Sequence, residues 1–247
     1  MLELVSRPRG RNETQAWELE PGLAAREIEL LPGLFAQAWG ETGPLVIGLH
    51  GWRGRTTQFG RLATALGSRG LRTIAVDLPG HGRSAGKRAT PRILAEMLME
   101  VTKITGLAHA VVGHSFGGAV IGAALAFGFR TSRMVIVSSP TRVSRIPMMY
   151  AKGLGLPPRA MAQFFRLLDE FAGRPVAELD LLATGPNCGI PALLVHDRDD
   201  AVIPWREAEV LAAAWPALRV ISTDGLWHRD ILANRMVLNA IVEFVSG

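Results

Sequence analysis

The chain has 247 residues, 48% of them apolar, and a formal charge of +5 carried by 24 arginines and 3 lysines against 22 acidic side chains. That length and apolar share suit one α/β domain with an insertion and are enough for a large core, which excludes a disordered chain. With one tyrosine, no basic helix and no recognisable module, nothing points to nucleic acid as a partner. No apolar run reaches the ~18 residues of a membrane span, and Met1 to Arg9 carries no apolar stretch of a leader, so the expectation is a soluble, cytoplasmic protein. Cys188 is single and cannot form an internal disulfide.

Taken in order, the first ~25 residues form an arm. Ile28–Leu31 and Leu34–Trp39 follow, two short strands around the turn dipeptide Pro32-Gly33, the pattern of an antiparallel hairpin at a sheet edge. Pro44–His50 is a buried strand running into His50-Gly51-Trp52-Arg53-Gly54, a glycine-punctuated loop of the kind that α/β sheets use for ligands. Thr57–Leu66 has helical spacing, and Thr73–Leu78 is a second buried strand that ends in Pro79-Gly80-His81-Gly82-Arg83-Ser84. Pro91–Ile104 reads as a helix, Ala108–Val112 as a strand, Ala119–Ala126 as a helix with no polar face, and Met134–Pro140 as a strand.

The alternation then stops. From Thr141 to about Gly189 no strand pattern appears, and Pro158 opens a helix that Gly173 closes, so residues 141–190 are expected to be a small helical cap on a core of residues 1–140 and 191–247. The Met and Phe residues of that helix, Met161, Phe164, Phe165 and Phe171, fit the cap's own packing. Ala192–His196 resumes the strands, followed by a helix over Trp205–Trp215, a strand over Arg219–Ser222 and a closing helix over Ile231–Val245. Strands alternating with helices demand a mostly parallel sheet, because each crossover must travel back along it.

The chemistry centres on Gly113-His114-Ser115-Phe116-Gly117, which matches Gly-x-Ser-x-Gly at a junction of strand and helix. A serine there projects from a strained turn whose flanking positions have no room for a Cβ, and the N–H of Phe116 at the helix start points toward a developing oxyanion. A serine hydroxyl needs a base, and a histidine base needs a carboxylate to orient it. Two later post-strand loops supply them: Asp197-Arg198-Asp199-Asp200 and Asp224-Gly225-Leu226-Trp227-His228. Of six histidines, His50 and His81 belong to loop motifs, His109 and His196 sit at strand ends, and His114 adjoins the serine with its side chain directed elsewhere; His228 alone occupies a late post-strand loop.

On His50-Gly51-Trp52, Asp77-x-Pro79-Gly80-His81-Gly82-x-Ser84, the serine turn, Asp200-x-x-x-Pro204 and Gly225-x-x-His228, the chain resembles the serine hydrolases of the α/β-hydrolase fold from about residue 26 to 247. The resemblance implies Ser115 as nucleophile, Asp200 as acid, favoured over Asp199 by its spacing to Pro204, and His228 as base. It also implies that the N–H groups of Trp52 and Phe116 form the oxyanion hole, and that Asp77 organises its loop. Asp197 departs from the family, which usually has glycine there.

The implied activity is cleavage of a carboxylic ester or related acyl compound through an acyl-enzyme. Acyl transfer and thioester hydrolysis use the same triad, and a binding protein on the same scaffold is the reading from another class. No Cys or His pair has metal-ligand spacing and no Gly-x-Gly-x-x-Gly follows the first parallel strand, so no metal or dinucleotide cofactor is expected. Arg53, Arg55, Arg83, Lys87, Arg88, Arg142, Arg145, Lys152, Arg159 and Arg166 fall in segments expected around the mouth, with no acidic residue from Thr141 to Arg166. They would favour a small-molecule acyl substrate that carries an anionic group.

Overall fold

The computed structural model describes residues 6–8, 10–20 and 25–247; the Met1–Val5 part of the stretch read for a leader lies outside them. Eight strands form one sheet in the order β1-β2-β4-β3-β5-β6-β7-β8. β1 (Arg26–Leu31) and β2 (Leu34–Trp39) are the expected hairpin at one edge, and β2 pairs antiparallel with β4 (Arg72–Val76). All remaining pairings are parallel, through β3 (Leu45–Leu49), β5 (Ala110–His114), β6 (Arg133–Val137), β7 (Ala192–Asp197) and β8 (Arg219–Thr223).

The central strands are buried on both faces, which is why they read as unbroken apolar runs rather than alternating ones. Successive side chains still part company: Val111, Ile136 and Leu194 face one core, and Ala110, Val112, Val135 and Val195 the other. The first core is closed by α2 (Pro91–Thr105) and α3 (Phe116–Ala126), the second by α1 (Gly60–Gly67) and α9 (Arg235–Ser246). Parallel order brings the carboxyl ends of β3, β5, β7 and β8 to one edge of the sheet, so the loops after them meet there.

β5 lies two residues later and β6 ends three residues earlier than the sequence reading, and four larger differences have local reasons. The helix expected from Thr57 begins as a 3-10 turn, Thr56–Phe59, before α1. α3 begins at Phe116, three residues early, with Gly117 and Gly118 inside its first turn. Between β6 and β7 there is an unforeseen helix, α4 (Arg145–Gly153), besides α5 (Pro158–Ala172) and the single turn α6 (Leu181–Thr184). Pro147 and Gly153 mask α4 in the sequence, although a proline in the first turn displaces no intrahelical bond. The closing helix expected from Ile231 begins four residues later: an unexpected single turn, α8 (Trp227–Asp230), precedes it, and α9 starts where the Asn234 side chain caps Met236 N–H at 2.9 Å and Val237 N–H at 3.2 Å. α7 (Arg206–Ala214) follows β7 much as expected.

The segment between β6 and β7 has two kinds of footing. α6 rests directly on α3, where a Cβ on Gly122 would stand 2.7 Å from Leu181 Cα. α5 meets the first core through Phe164, Leu168 and Ala172. Among the described residues, no helix is long and apolar enough to cross a membrane.

Candidate active site

Ser115 sits between β5 and α3 at φ 53°, ψ −122°, a conformation that a non-glycine residue holds only where its surroundings enforce it. The glycines around it let strand and helix touch. A Cβ on Gly113 would lie 2.6 Å from the Gly117 backbone, and one on Gly117 would lie 2.0 Å from Leu49 O. From below, Ser139 Oγ donates to Ser115 O at 2.7 Å.

The two later loops converge on this serine. Ser115 Oγ donates to His228 Nε2 at 3.0 Å, and His228 Nδ1 donates to Asp200 Oδ2 at 2.7 Å. The other oxygen, Asp200 Oδ1, accepts the N–H groups of Val202 and Ile203, both at 2.8 Å. Burial alone would push the Asp200 carboxyl up, but the hydrogen bonds from His228 and these amides hold it below the usual carboxylate range. It is therefore an anion facing the imidazole.

Asp199 takes no part in that chain: its Oδ2 accepts Gly225 N–H at 2.9 Å on the exposed side. Asp197, for which the sequence offered no role, is fully buried and joins the acid loop to the base loop. It accepts Asp199 N–H at 3.0 Å through Oδ1, and Thr223 Oγ–H at 2.7 Å and Leu226 N–H at 3.0 Å through Oδ2. The one signal of this was its departure from the glycine usual at that position.

Trp52 lies in the loop after β3, its ring edge-on to that of Phe116 at 5.0 Å. As the first residue of α3, Phe116 has an N–H without an intrahelical acceptor. Among the described residues, four non-glycines have positive φ: Arg53, Ser115, Ser138 and Trp227. Each is one of, or next in sequence to, Trp52, Ser115, Ser139 and His228, so local strain is concentrated around this constellation.

The cleft over Ser115 has a volume of about 220 Å³, with Trp52, Phe116, Ile146, Tyr150, Val202 and Ile203 in its wall. A second, almost wholly apolar hollow of about 60 Å³ lies between the start of α2 and α5, and shares Phe116 and Ile146 with the first.

A family model described as the alpha/beta hydrolase family matches residues 46–238. The chain belongs to that family. It is 32% identical over 127 residues to a monoacylglycerol lipase of Mycolicibacterium smegmatis, covering 45% of this chain and 44% of that one. It is 33% identical over 110 residues to a human serine hydrolase-like protein, covering 41% and 54%. These alignments span about half the length of the curated relatives. Among solved structures, the Paleococcus ferrophilus monoacylglycerol lipase superposes with a TM-score of 0.67 at 18% identity, covering 86% of this chain and 98% of that one. The Exiguobacterium antarcticum esterase gives 0.66 at 21%, covering 91% and 100%. At such identities the structures attest the shared fold.

One further feature of this alpha/beta hydrolase escaped the sequence reading. His114 is not directed away from the site: its Nε2 donates to His228 O at 2.7 Å, and its ring lies 4.9 Å from that of His228. Burial lowers its pKa to about 3, so it is a neutral donor anchoring the main chain of the histidine on Ser115. His50 is likewise kept neutral by burial, with a pKa of about 4, and spans two loops by accepting Leu78 N–H at 3.0 Å and donating to Gly51 O at 2.8 Å. Asp77 accepts Thr56 N–H at 2.8 Å and Arg83 N–H at 2.7 Å, fastening the same pair of loops.

Four of the ten basic side chains expected at the mouth pair with neighbours. Arg142 and Arg145 face Glu207 at 3.0 and 3.9 Å, Arg83 pairs with Glu27 at 2.6 Å, and Arg55 bonds Thr14 and Asn12. None of the residues in the cleft wall is charged. Among the described residues, no group of three or more His, Cys, Asp or Glu side chains is disposed to hold a metal ion.

Proposed function

We propose that this hydrolase cleaves carboxylic esters of apolar acyl groups through an acyl-enzyme on Ser115. The hydrogen-bonded chain Ser115–His228–Asp200 carries the reading. Ser115 Oγ attacks the ester carbonyl while its proton passes to His228 Nε2, and the anionic Asp200 stabilises the imidazolium and fixes the tautomer that leaves Nε2 free to accept. The carbonyl oxygen, now an anion, is held by the N–H groups of Trp52 and Phe116. As the tetrahedral intermediate collapses, the C–O bond to the alcohol breaks and His228 gives the proton to that oxygen. Water then enters, loses a proton to His228, and attacks the acyl-enzyme; the acid departs as the proton returns to Ser115 Oγ.

The uncharged cleft wall favours a neutral, apolar acyl group over the anionic substrate that composition pointed to. Residues 141–190 act as the cap, with α4 lending Ile146 and Tyr150 to the cleft and α6 serving as its foot on α3. The test is the hydrolysis of p-nitrophenyl esters from acetate to decanoate by stopped flow. Where deacylation is the slower step the reading predicts a burst of nitrophenol equal to the enzyme concentration; a folded enzyme that turns over none of the series would defeat it.

A further inference from the structure

β7 and β8 end opposite one another, with Asp197 in register with Thr223. The acid loop and the base loop leave the sheet from these two positions, yet they must meet again at the 2.7 Å contact of Asp200 with His228. A buried carboxylate stands at the fork. Asp197 O accepts Asp200 N–H at 3.3 Å, and Asp197 Oδ1 accepts Asp199 N–H at 3.0 Å, so this one residue fixes the start of the acid loop. Its Oδ2 reaches across to the other loop, accepting Thr223 Oγ–H at 2.7 Å and Leu226 N–H at 3.0 Å, and the Trp227 N–H turns to the same carboxylate.

The base loop is shaped to receive it. Leu226 has φ −95° and ψ −13°, and Trp227 follows at φ 57°. A right-handed residue followed by one of positive φ turns successive N–H groups inward and makes a nest for an anion. Here the chain supplies its own anion. Burial alone would push the Asp197 carboxyl up, but the bonds from Thr223, Leu226 and Asp199 hold it below the usual carboxylate range. A tryptophan at positive φ is strained, and the Trp227 side chain is 57% exposed, so its own packing does little to enforce that conformation. Its neighbours along the chain are gripped instead: Leu226 N–H by Asp197 on one side, and His228 O by His114 Nε2 at 2.7 Å on the other.

We propose that Asp197 is a positioning residue for the base: its carboxylate fills the Leu226–Trp227 nest, holds the strained residue that precedes His228, and thereby sets the imidazole against Asp200. This rests on the esterase reading for its catalytic consequence, and on the nest alone for its structural one. An asparagine cannot stand in. It has one acceptor oxygen where the carboxylate has two, so whichever way it turns, its NH₂ meets an N–H of one loop or the other.

Asp197→Asn and Asp197→Ala are expected to lower kcat per titrated active site by about 10- to 100-fold, the cost of a base displaced by about an ångström, with KM within about threefold. In proton NMR, the downfield resonance of the His228 Nδ1–H shared with Asp200 should shift or broaden in both variants; a carboxylate that merely stabilised the fold would leave it in place. One measurement needs no variant: in the wild type, the Leu226 amide should exchange with solvent at least about 100-fold more slowly than an unprotected loop amide. A kcat within about threefold of wild type, an unmoved resonance, or a freely exchanging Leu226 amide each overturns the proposal. If the wild type turned over no ester, the esterase reading would fall, and the resonance and the amide would still decide the role of Asp197.

Discussion

Replacing Ser115 with alanine is expected to lower kcat for a p-nitrophenyl ester by about 10⁴- to 10⁶-fold while leaving the thermal melt within a few degrees of wild type. Alanine keeps the Cβ and meets the same φ of 53°, so backbone strain is conserved and only the hydroxyl is lost. His228→Ala should cost nearly as much, because the serine and its base act as a unit, and the double variant should be little worse than either single. The activity that survives is what the oxyanion donors and the cleft supply without a nucleophile. A Ser115→Ala enzyme retaining more than about 1% of wild-type turnover would remove Ser115 from the mechanism.

The acid loop yields the second large effect. Asp200→Asn is expected to reduce kcat by about 10⁴-fold. An asparagine can turn its NH₂ toward His228, and the tautomer that accepts there carries its proton on Nε2, where it cannot receive the serine's. Asp199→Asn should change kcat less than about threefold. Its carboxylate has Gly225 N–H as its partner at 2.9 Å, and an asparagine oxygen accepts that bond equally well. Comparable losses in both variants would mean that the two carboxylates share the role, against the 2.7 Å contact that joins Asp200 to His228.

The strands were legible because a parallel sheet covered on both faces leaves apolar runs bounded by turn residues, as at Leu45–Leu49 and Ala110–His114. The serine turn was legible because its glycines answer to sterics, as the 2.0 Å approach to Leu49 O at Gly117 shows. What stayed hidden was contact with main chain. His114 reaches a carbonyl 114 residues away, Asp197 collects amide protons from a loop that follows another strand, and Asn12 grips carbonyls 40 and 41 residues downstream. Every residue type offers the same carbonyl, and every one but proline the same amide, so such partners leave no mark in a one-dimensional pattern. α4 was missed for a different reason, since Pro147 and Gly153 resemble breakers and its tertiary contacts outweigh them.

Formal charge, too, reads differently in sequence and in space. An acid-free stretch from Thr141 to Arg166 looks like an attractive field, yet Glu207, on α7, comes from outside that stretch to pair with Arg142 and Arg145. Charge counted along the chain is not charge at the cleft.

The most direct measurement is stoichiometric labelling by a fluorophosphonate, with the modified peptide located by mass spectrometry in wild type, Ser115→Ala and His228→Ala. The account predicts one phosphonyl group per wild-type chain, on Ser115, none on Ser115→Ala, and labelling slowed by several orders of magnitude in His228→Ala. A folded wild-type protein that takes up no label, or takes it up at another residue, would contradict an activated serine at the end of β5.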